Sequence, residues 1–345
     1  MKRIQLGNTV FEGENDVYLF GADAASADAE TGAGENAETT AIVDTGVATD
    51  EGREQLREGL AEYGVEFADV DAIFLTHWHH DHTGLAGEIQ DESGATVYVH
   101  EEDAEMVAGD GANHKAEIEQ RGLFERWGMP DEKAAELLDF LGVHDEIQGD
   151  SPTVETVSDG DRFEFGGVEL EVVHLPGHAA GLSGLAFEGE EGRELLSGDA
   201  LLPRYTPNVG GADPRVEDPL GTYLDSLRRI IDSDFARAWP GHRDPIEDPT
   251  DRAREIAAHH RERTERVLEV LRERGTADAW TVSADLFGEL EAIHIMHGPG
   301  EAWAHLDHLE REGVAEEVEE GYELRDESPD LDAMFERDGS SVAPR

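Results

Sequence analysis

The sequence predicts an α+β protein, an αβ sandwich followed by a small module of helices and a hairpin. Three observations carry this expectation. Short apolar strands ending in polar turns cluster before about residue 100 and again after about residue 160. A helical stretch at 101–142 separates the two groups, and after Pro245 and Pro249 helices take over. Strands, an insertion and strands again favour a sandwich over a strictly alternating βαβ array.

In chain order, residues 1–20 read as two short strands, the second containing Val17-Tyr18-Leu19-Phe20. The Ala/Gly/Asp/Glu tract at 22–40 has no periodicity and reads as a solvated loop. Ala41-Ile42-Val43 is a buried-type strand running into Asp44-Thr45-Gly46. A helix is expected at 51–63, with strands at 72–75 and 96–99. In the insertion, Leu123, Phe124 and Trp127 share one side, and Trp127 and Met129 are expected to pack it. Strands return at 162–165, 168–173, 182–187 and 194–196, a helix at 220–231 and a strand at 236–239. A long charged helix at 251–274 follows, then helices at 281–287 and 300–312 and a hairpin at 314–324. That order gives a catalytic unit at 1–250, a winged-helix-like module at 251–327 and a frayed acidic tail at 328–345.

Composition narrows the setting. The chain has 345 residues, 81 of them acidic against 27 basic, for a net charge of −54. Low hydrophobicity with such charge is the signature of disorder, but the recurring strand patterns contradict that reading. Only Lys2, Lys115 and Lys133 are lysines; the other basic residues are arginines. So dense a carboxylate surface repels itself unless salt screens it, and the Debye length falls to ~3 Å near 1 M. A halophilic, salt-rich cytoplasm is the expectation. There are no cysteines and no apolar run long enough for a membrane span, and no export leader is expected.

The chemistry concentrates in Thr76-His77-Trp78-His79-His80-Asp81-His82-Thr83-Gly84, where four His and one Asp occupy six positions after a strand. Such residues are too polar for a core, and imidazole with carboxylate suits zinc, with iron or manganese as alternatives. Three further strand ends agree: Leu175-Pro176-Gly177-His178, Leu196-Ser197-Gly198-Asp199 and Trp239-Pro240-Gly241-His242. Each is weak alone. Four together on separate strand ends form a specific pattern.

This constellation resembles the metallo-β-lactamase fold superfamily, in the broad group that includes glyoxalase II-like hydrolases, over nearly all of residues 1–245. The resemblance implies a four-layer αββα sandwich with two Zn2+ per chain at one edge. By analogy, His77, His79 and His178 hold the first ion, Asp81, His82 and His242 the second, and Asp199 bridges them. Asp44 would orient a ligand by hydrogen bonding, Asp81 would relay a proton, and His80 is not a ligand. The implied activity is attack of a zinc-bound hydroxide on an ester, thioester or lactone-type substrate, with β-lactams poor substrates.

Substrate signals are thinner. Arg204, Tyr205 and Asn208, in the loop after Asp199, are candidates for contacting a substrate, and the insertion, with Asn113 and His114, for covering the site. His100, His144 and His174 read as ordinary helix-end or strand-end residues, and His259 and His260 as part of a solvated helix face. Relatives with a winged-helix-like region include nucleic-acid-cleaving enzymes, which makes phosphodiester cleavage of RNA the alternative. Against it, residues 281–345 carry four arginines and eighteen acids, and Glu301, Asp307, Glu310 and Glu312 on the candidate recognition helix would repel phosphates. The module reads first as a packing, lid or dimer element. A mono-iron dioxygenase of sulfur compounds is the third reading, disfavoured by the complete seven-ligand set.

Overall fold

The computed structural model describes residues 1–7, 13–21, 39–109, 122–143 and 148–335. Two sheets lie face to face. The first runs, in spatial as in chain order, β1 (Lys2–Leu6), β2 (Asn15–Phe20), β3 (Ala41–Val43), β4 (Ala72–Phe74), β5 (Thr96–His100) and β6 (Val154–Val157). Its first three strands pair antiparallel, and β3 to β6 pair parallel. The second comprises β7 (Arg162–Phe165), β8 (Val168–His174), β9 (Ser183–Glu188), β10 (Arg193–Gly198) and β11 (Arg237–Pro240), antiparallel except for the parallel β10–β11 pair.

Strand periodicity explains the layering. Successive side chains point to opposite faces, so in β2 Tyr18 and Phe20 enter the space between the sheets, where they meet Phe74, Leu170, Leu185 and Leu196. Val17 and Leu19 point the other way, into the cluster that contains Leu56 and Leu60 of helix α1 (Asp50–Ala61). Thr49 caps that helix by accepting from the Gly52 N–H, and Asp50 and Glu51 suit its positive end. Short helices α2 (His80–Thr83), α3 (Ala86–Ser93) and α4 (Ala104–Ala108) follow. In the insertion come α5 (Leu123–Arg126) and α6 (Asp131–Val143). Across the second sheet, α7 (Pro219–Ser233) buries Tyr223, Leu224, Leu227 and Ile230. The order is helix, sheet, sheet, helix.

Helix α8 (Pro249–Arg274) leads into β12 (Thr276–Ala277), α9 (Ala279–Phe287), α10 (His294–Arg311), β13 (Ala315–Val318) and β14 (Gly321–Leu324), with the strands in the order β12-β14-β13. Their core includes Val267, Leu271, Val282, Ile295 and Trp303. Leu123, Trp127, Met129 and Leu137 of the insertion join this same cluster, and Trp280 N–H donates to the Trp127 carbonyl at 2.8 Å. The described helices of the insertion therefore lean on the C-terminal elements; Asn113, His114 and His144 lie outside the described residues.

Several expectations need correction. Helix α10 begins at His294, not near residue 300, and carries Pro299 inside it. A proline normally breaks a helix; here burial of almost the whole helix overrides the local signal. His260 is fully buried rather than on a solvated face, because α10 covers that side of α8. Within the expected frayed tail, α11 (Leu331–Phe335) buries Leu331 and Met334, and Asp332 pairs with Arg261 at 2.7 Å. Strands β6 and β12 and helix α3 gave no sequence signal of their own.

Candidate metal centre

Strand ends converge at one edge of the sandwich. β3 delivers Asp44, β4 the segment Thr76–His82, β8 His178, β10 Asp199 and β11 His242. The edge is stitched by Ser183 N–H donating to Thr76 O at 2.8 Å and by the Tyr18 hydroxyl donating to Pro240 O at 2.6 Å. Gly241 is required there: a Cβ would stand 2.6 Å from both Asp199 Oδ1 and His82 Cε1.

Each of five imidazoles uses one ring nitrogen outward and turns the other inward. His178 Nδ1 bonds Asn208 O at 2.8 Å, His242 Nδ1 bonds Glu14 O at 3.0 Å and His79 Nε2 bonds Ala212 O at 3.2 Å. His82 Nδ1 meets Asp44 Oδ2 at 2.8 Å, and His77 Nδ1 meets Thr76 Oγ1 at 3.0 Å. The Thr76 hydroxyl donates in turn to Asp44 Oδ2 at 2.9 Å, and Thr76 N–H to Asp44 Oδ1 at 2.8 Å. Asp44, held at a φ of 61°, thus steadies two imidazoles. Such outer bonds fix a histidine's tautomer and leave its other nitrogen as a lone pair for a cation.

The inward atoms form two groups. His77 Nε2 and His178 Nε2 lie 2.9 and 3.0 Å from His79 Nδ1. His242 Nε2 lies 3.4 Å from both Asp81 Oδ2 and Asp199 Oδ2, and His82 Nε2 lies 3.6 Å from Asp199 Oδ1. Asp199 Oδ2 also stands 3.7 Å from His178 Nε2, so this carboxylate touches both groups. With metal–nitrogen bonds of 2.0–2.1 Å, tetrahedral donors stand about 3.3 Å apart; the spacings bracket that value.

The fit to divalent cations rests on more than donor type. His82 Nε2, His242 Nε2 and Asp199 Oδ1 are buried without a hydrogen-bond partner, a state that costs about 1–3 kcal/mol per group. Burial pushes the His77 imidazole well below its usual range. Burial also opposes charge on His82 and His242, but Asp81 and Asp199 outweigh it, raising His82 well above that range and His242 to about 9. Asp199 is held low by His242 and His82 against the penalty of its burial. The carboxylates demand positive charge at this point.

Comparison with known proteins agrees. The family model of the metallo-beta-lactamase superfamily matches residues 35–242. The chain belongs to the metallo-beta-lactamase superfamily. It is 28% identical over 296 residues to the "Probable metallo-hydrolase YqjP" of Bacillus subtilis, covering 81% of this chain and 87% of that protein. A metallo-beta-lactamase family protein from Thermus thermophilus has a similar structure, with a TM-score of 0.74 and 32% identity over 93% of this chain and 97% of the other. An Aspergillus fumigatus protein named atrochrysone carboxyl ACP thioesterase is 26% identical over 238 residues, which is 68% of this chain but 42% of that protein. With such homologues the chain is a metallo-beta-lactamase superfamily hydrolase, and the fold implies a divalent metal.

Around this superfamily site the structure adds residues that no sequence pattern marked. Trp78, between two inward histidines, donates its N–H to Asp103 Oδ2 and its indole N–H to Asp213 Oδ2, both at 3.1 Å. Asp213 and Asp103 also accept from Ala180 N–H at 2.8 Å and Gly181 N–H at 2.9 Å, just beyond His178. Arg215 bridges both carboxylates at 2.5 and 2.6 Å. This buried network ties the His77–His82 loop to the His178 turn. The one hint was Asp213 and Arg215 set two apart in the stretch Gly210-Gly211-Ala212-Asp213-Pro214-Arg215.

The candidate substrate residues fall in different places. Tyr205 is exposed, with the Arg204 and Arg243 guanidinium carbons 5.6 and 5.1 Å from its ring centre. Asn208 instead turns its side chain toward α10, donating to His297 O at 3.1 Å. His80 lines a small cleft with Trp78, Met106, Val107 and Pro152. His100 stacks on His174 at 3.9 Å.

A second buried group, His260, Glu301 and His305, also places donor atoms within 4.8 Å of one another. Arg263 sits on the Glu301 carboxylate, so this cluster already holds its cation.

Proposed function

We propose that this hydrolase cleaves an ester, thioester or lactone-type bond in a small-molecule substrate, using two zinc ions held by His77, His79, His178 and by Asp81, His82, His242, with Asp199 shared. The observation that carries the reading is the convergence of inward imidazole nitrogens and carboxylate oxygens at one buried point, where His82 Nε2, His242 Nε2 and Asp199 Oδ1 have no hydrogen-bond partner. Cations bound there would supply a water deprotonated near neutral pH and an electrophile for the substrate oxygen. The chain's own residues do the rest. Asp44, Asn208 O, Glu14 O and Ala212 O hold the imidazoles in one tautomer and orientation. Asn15 Nδ2 donates to Asp81 Oδ2 at 3.4 Å, steadying a carboxylate that would take up a proton. The name of the thioesterase relative supports a thioester within this class.

Phosphodiester cleavage of RNA finds less support. The elements from α8 to β14 suit a winged-helix-like module at 251–327, beside a catalytic unit at 1–250. Yet its candidate recognition helix, α10, is buried along most of its length, so it has no free face for a groove. Glu301 and Asp307 are buried too, and they pair with Arg263 and Arg311 instead of facing phosphates. The cytoplasmic, halophilic setting is proposed from charge, and among the described residues no helix is long and apolar enough to cross a membrane.

Two experiments test these readings. Zinc-loaded protein in molar KCl is assayed on an aryl ester, an acyl thioester, a lactone, an aryl phosphodiester and single-stranded RNA, beside His79→Ala. Acyl substrates are expected to turn over, and His79→Ala to lose more than the ~100-fold typical of an outer-shell change. Full activity in His79→Ala removes the assigned centre, and turnover confined to RNA makes the alternative correct. Circular dichroism in dilute buffer and in molar KCl checks the setting: the fold should weaken without salt, and an unchanged spectrum rejects the halophilic reading.

A further inference from the structure

The loop that carries Asn208 to Asp213 is the hub of the first imidazole group. It supplies the Asn208 carbonyl to His178 Nδ1 and the Ala212 carbonyl to His79 Nε2. It also supplies Asp213 to the indole of Trp78. What holds this loop is not the sandwich alone but helix α10. Asn208 Nδ2 donates to His297 O at 3.1 Å and toward Glu301 Oε2 at 3.4 Å, while its Oδ1 accepts from Gly211 N–H at 3.1 Å. Glu301 is itself buried and anchored by Arg263 of α8.

The backbones interlock as well. A Cβ on Gly300 would stand 2.3 Å from Gly211 Cα, and one on Gly210 would stand 2.5 Å from the Gly300 carbonyl oxygen. Only glycines permit this approach, which accounts for Gly300 within the helix.

We propose that α10 is a working part of the metal centre and that Asn208 and Glu301 are positioning residues. Through them the C-terminal helices hold the loop whose carbonyls aim His178 and His79. The inference rests on the metal-centre reading above and adds to it a role for the C-terminal elements.

The test measures zinc affinity of the full chain in molar KCl by competition with a chromophoric chelator, together with the unfolding midpoint of the metal-free protein. Asn208→Ala is expected to weaken zinc binding about tenfold or more, the usual cost of losing an outer-shell partner. Asp285→Asn, which breaks the exposed Arg274–Asp285 pair elsewhere in the same module, should bind zinc as wild type does. Should Asn208→Ala fail to fold, Glu301→Gln, which keeps shape and removes charge, carries the same expectation. Wild-type affinity in the variant that folds overturns the proposal, and so does an equal loss in Asp285→Asn, which would mean general loosening of the module. A wild-type chain that takes up no zinc instead removes the underlying metal reading.

Discussion

The sheet edge and the α8–α10 interface each bury histidines beside a carboxylate, and by donor type the two clusters look alike. Their neighbours separate them. At the edge, Asp81 and Asp199 face imidazoles and, at Asp81, the neutral Asn15 amide; the imidazoles' outer nitrogens are tied to carbonyls or to Asp44. At the interface, Glu301 faces the Arg263 guanidinium, and His305 Nδ1 is satisfied by the Thr264 hydroxyl at 2.8 Å. Arg263 also helps to hold both His260 and His305 uncharged, adding to the effect of burial. A donor set becomes a cation site when its charge is unmet; here one cluster has an open demand and the other is already neutralised.

The largest effect expected from this contrast comes from Arg263→Met. It strands a buried carboxylate, and removing one partner of a buried pair costs about 3–5 kcal/mol. Denaturant unfolding of metal-free protein in molar KCl reads that loss. The same change should open the interface cluster to a cation, so excess zinc should raise the variant's unfolding midpoint more than the wild type's. Equal zinc responses would mean that counter-charge does not separate the two clusters.

Next in size is Asp44→Asn. An amide still accepts from Thr76 N–H, but the Oδ2 that serves both His82 and the Thr76 hydroxyl is lost. Zinc affinity should fall by ~10–100-fold, roughly 1.4–2.7 kcal/mol, measured by the same chelator competition. If affinity holds, the orientation of His82 does not depend on Asp44.

How much of this was legible follows from range. The edge cluster is written locally: His77 to His82 are adjacent in sequence, and His178, Asp199 and His242 each follow an apolar run and, for two of them, a Pro-Gly turn. Period-2 patterning placed most strands of both sheets for the same reason. What tertiary packing decides was hidden. Helix α8 is charged around most of its circumference, so nothing local marks His260 as buried until α10 lies across it. The start of α10 read late because its first turns carry Gly298, Pro299 and Gly300, and Gly300 serves a contact with residues 210–211, far away in the chain. The Asp103–Arg215–Asp213 network unites residues more than a hundred positions apart, and no periodicity records that.

The smallest effect separates the clusters by acid. Burial first, and then Arg263, His259 and His308, push the His260 imidazole down to about 3, and its surroundings also include His305 and the edge of the Tyr223 ring. In the unfolded chain the same group titrates near 6.5. Between those values the unfolded state binds a proton that the folded state refuses, so stability is complete above about 6.5 and is lost as pH falls toward 3. His260→Gln removes this titration. From pH 7 to pH 5.5 the wild type should lose about 1.2 kcal/mol more than the variant, as read from urea midpoints in molar KCl. Acid release of metal from the sheet edge is common to both proteins and cancels in the difference. Equal losses would place the acid sensitivity elsewhere and show that the α8–α10 interface tolerates a charged imidazole, against the neutrality that the buried guanidinium imposes on it.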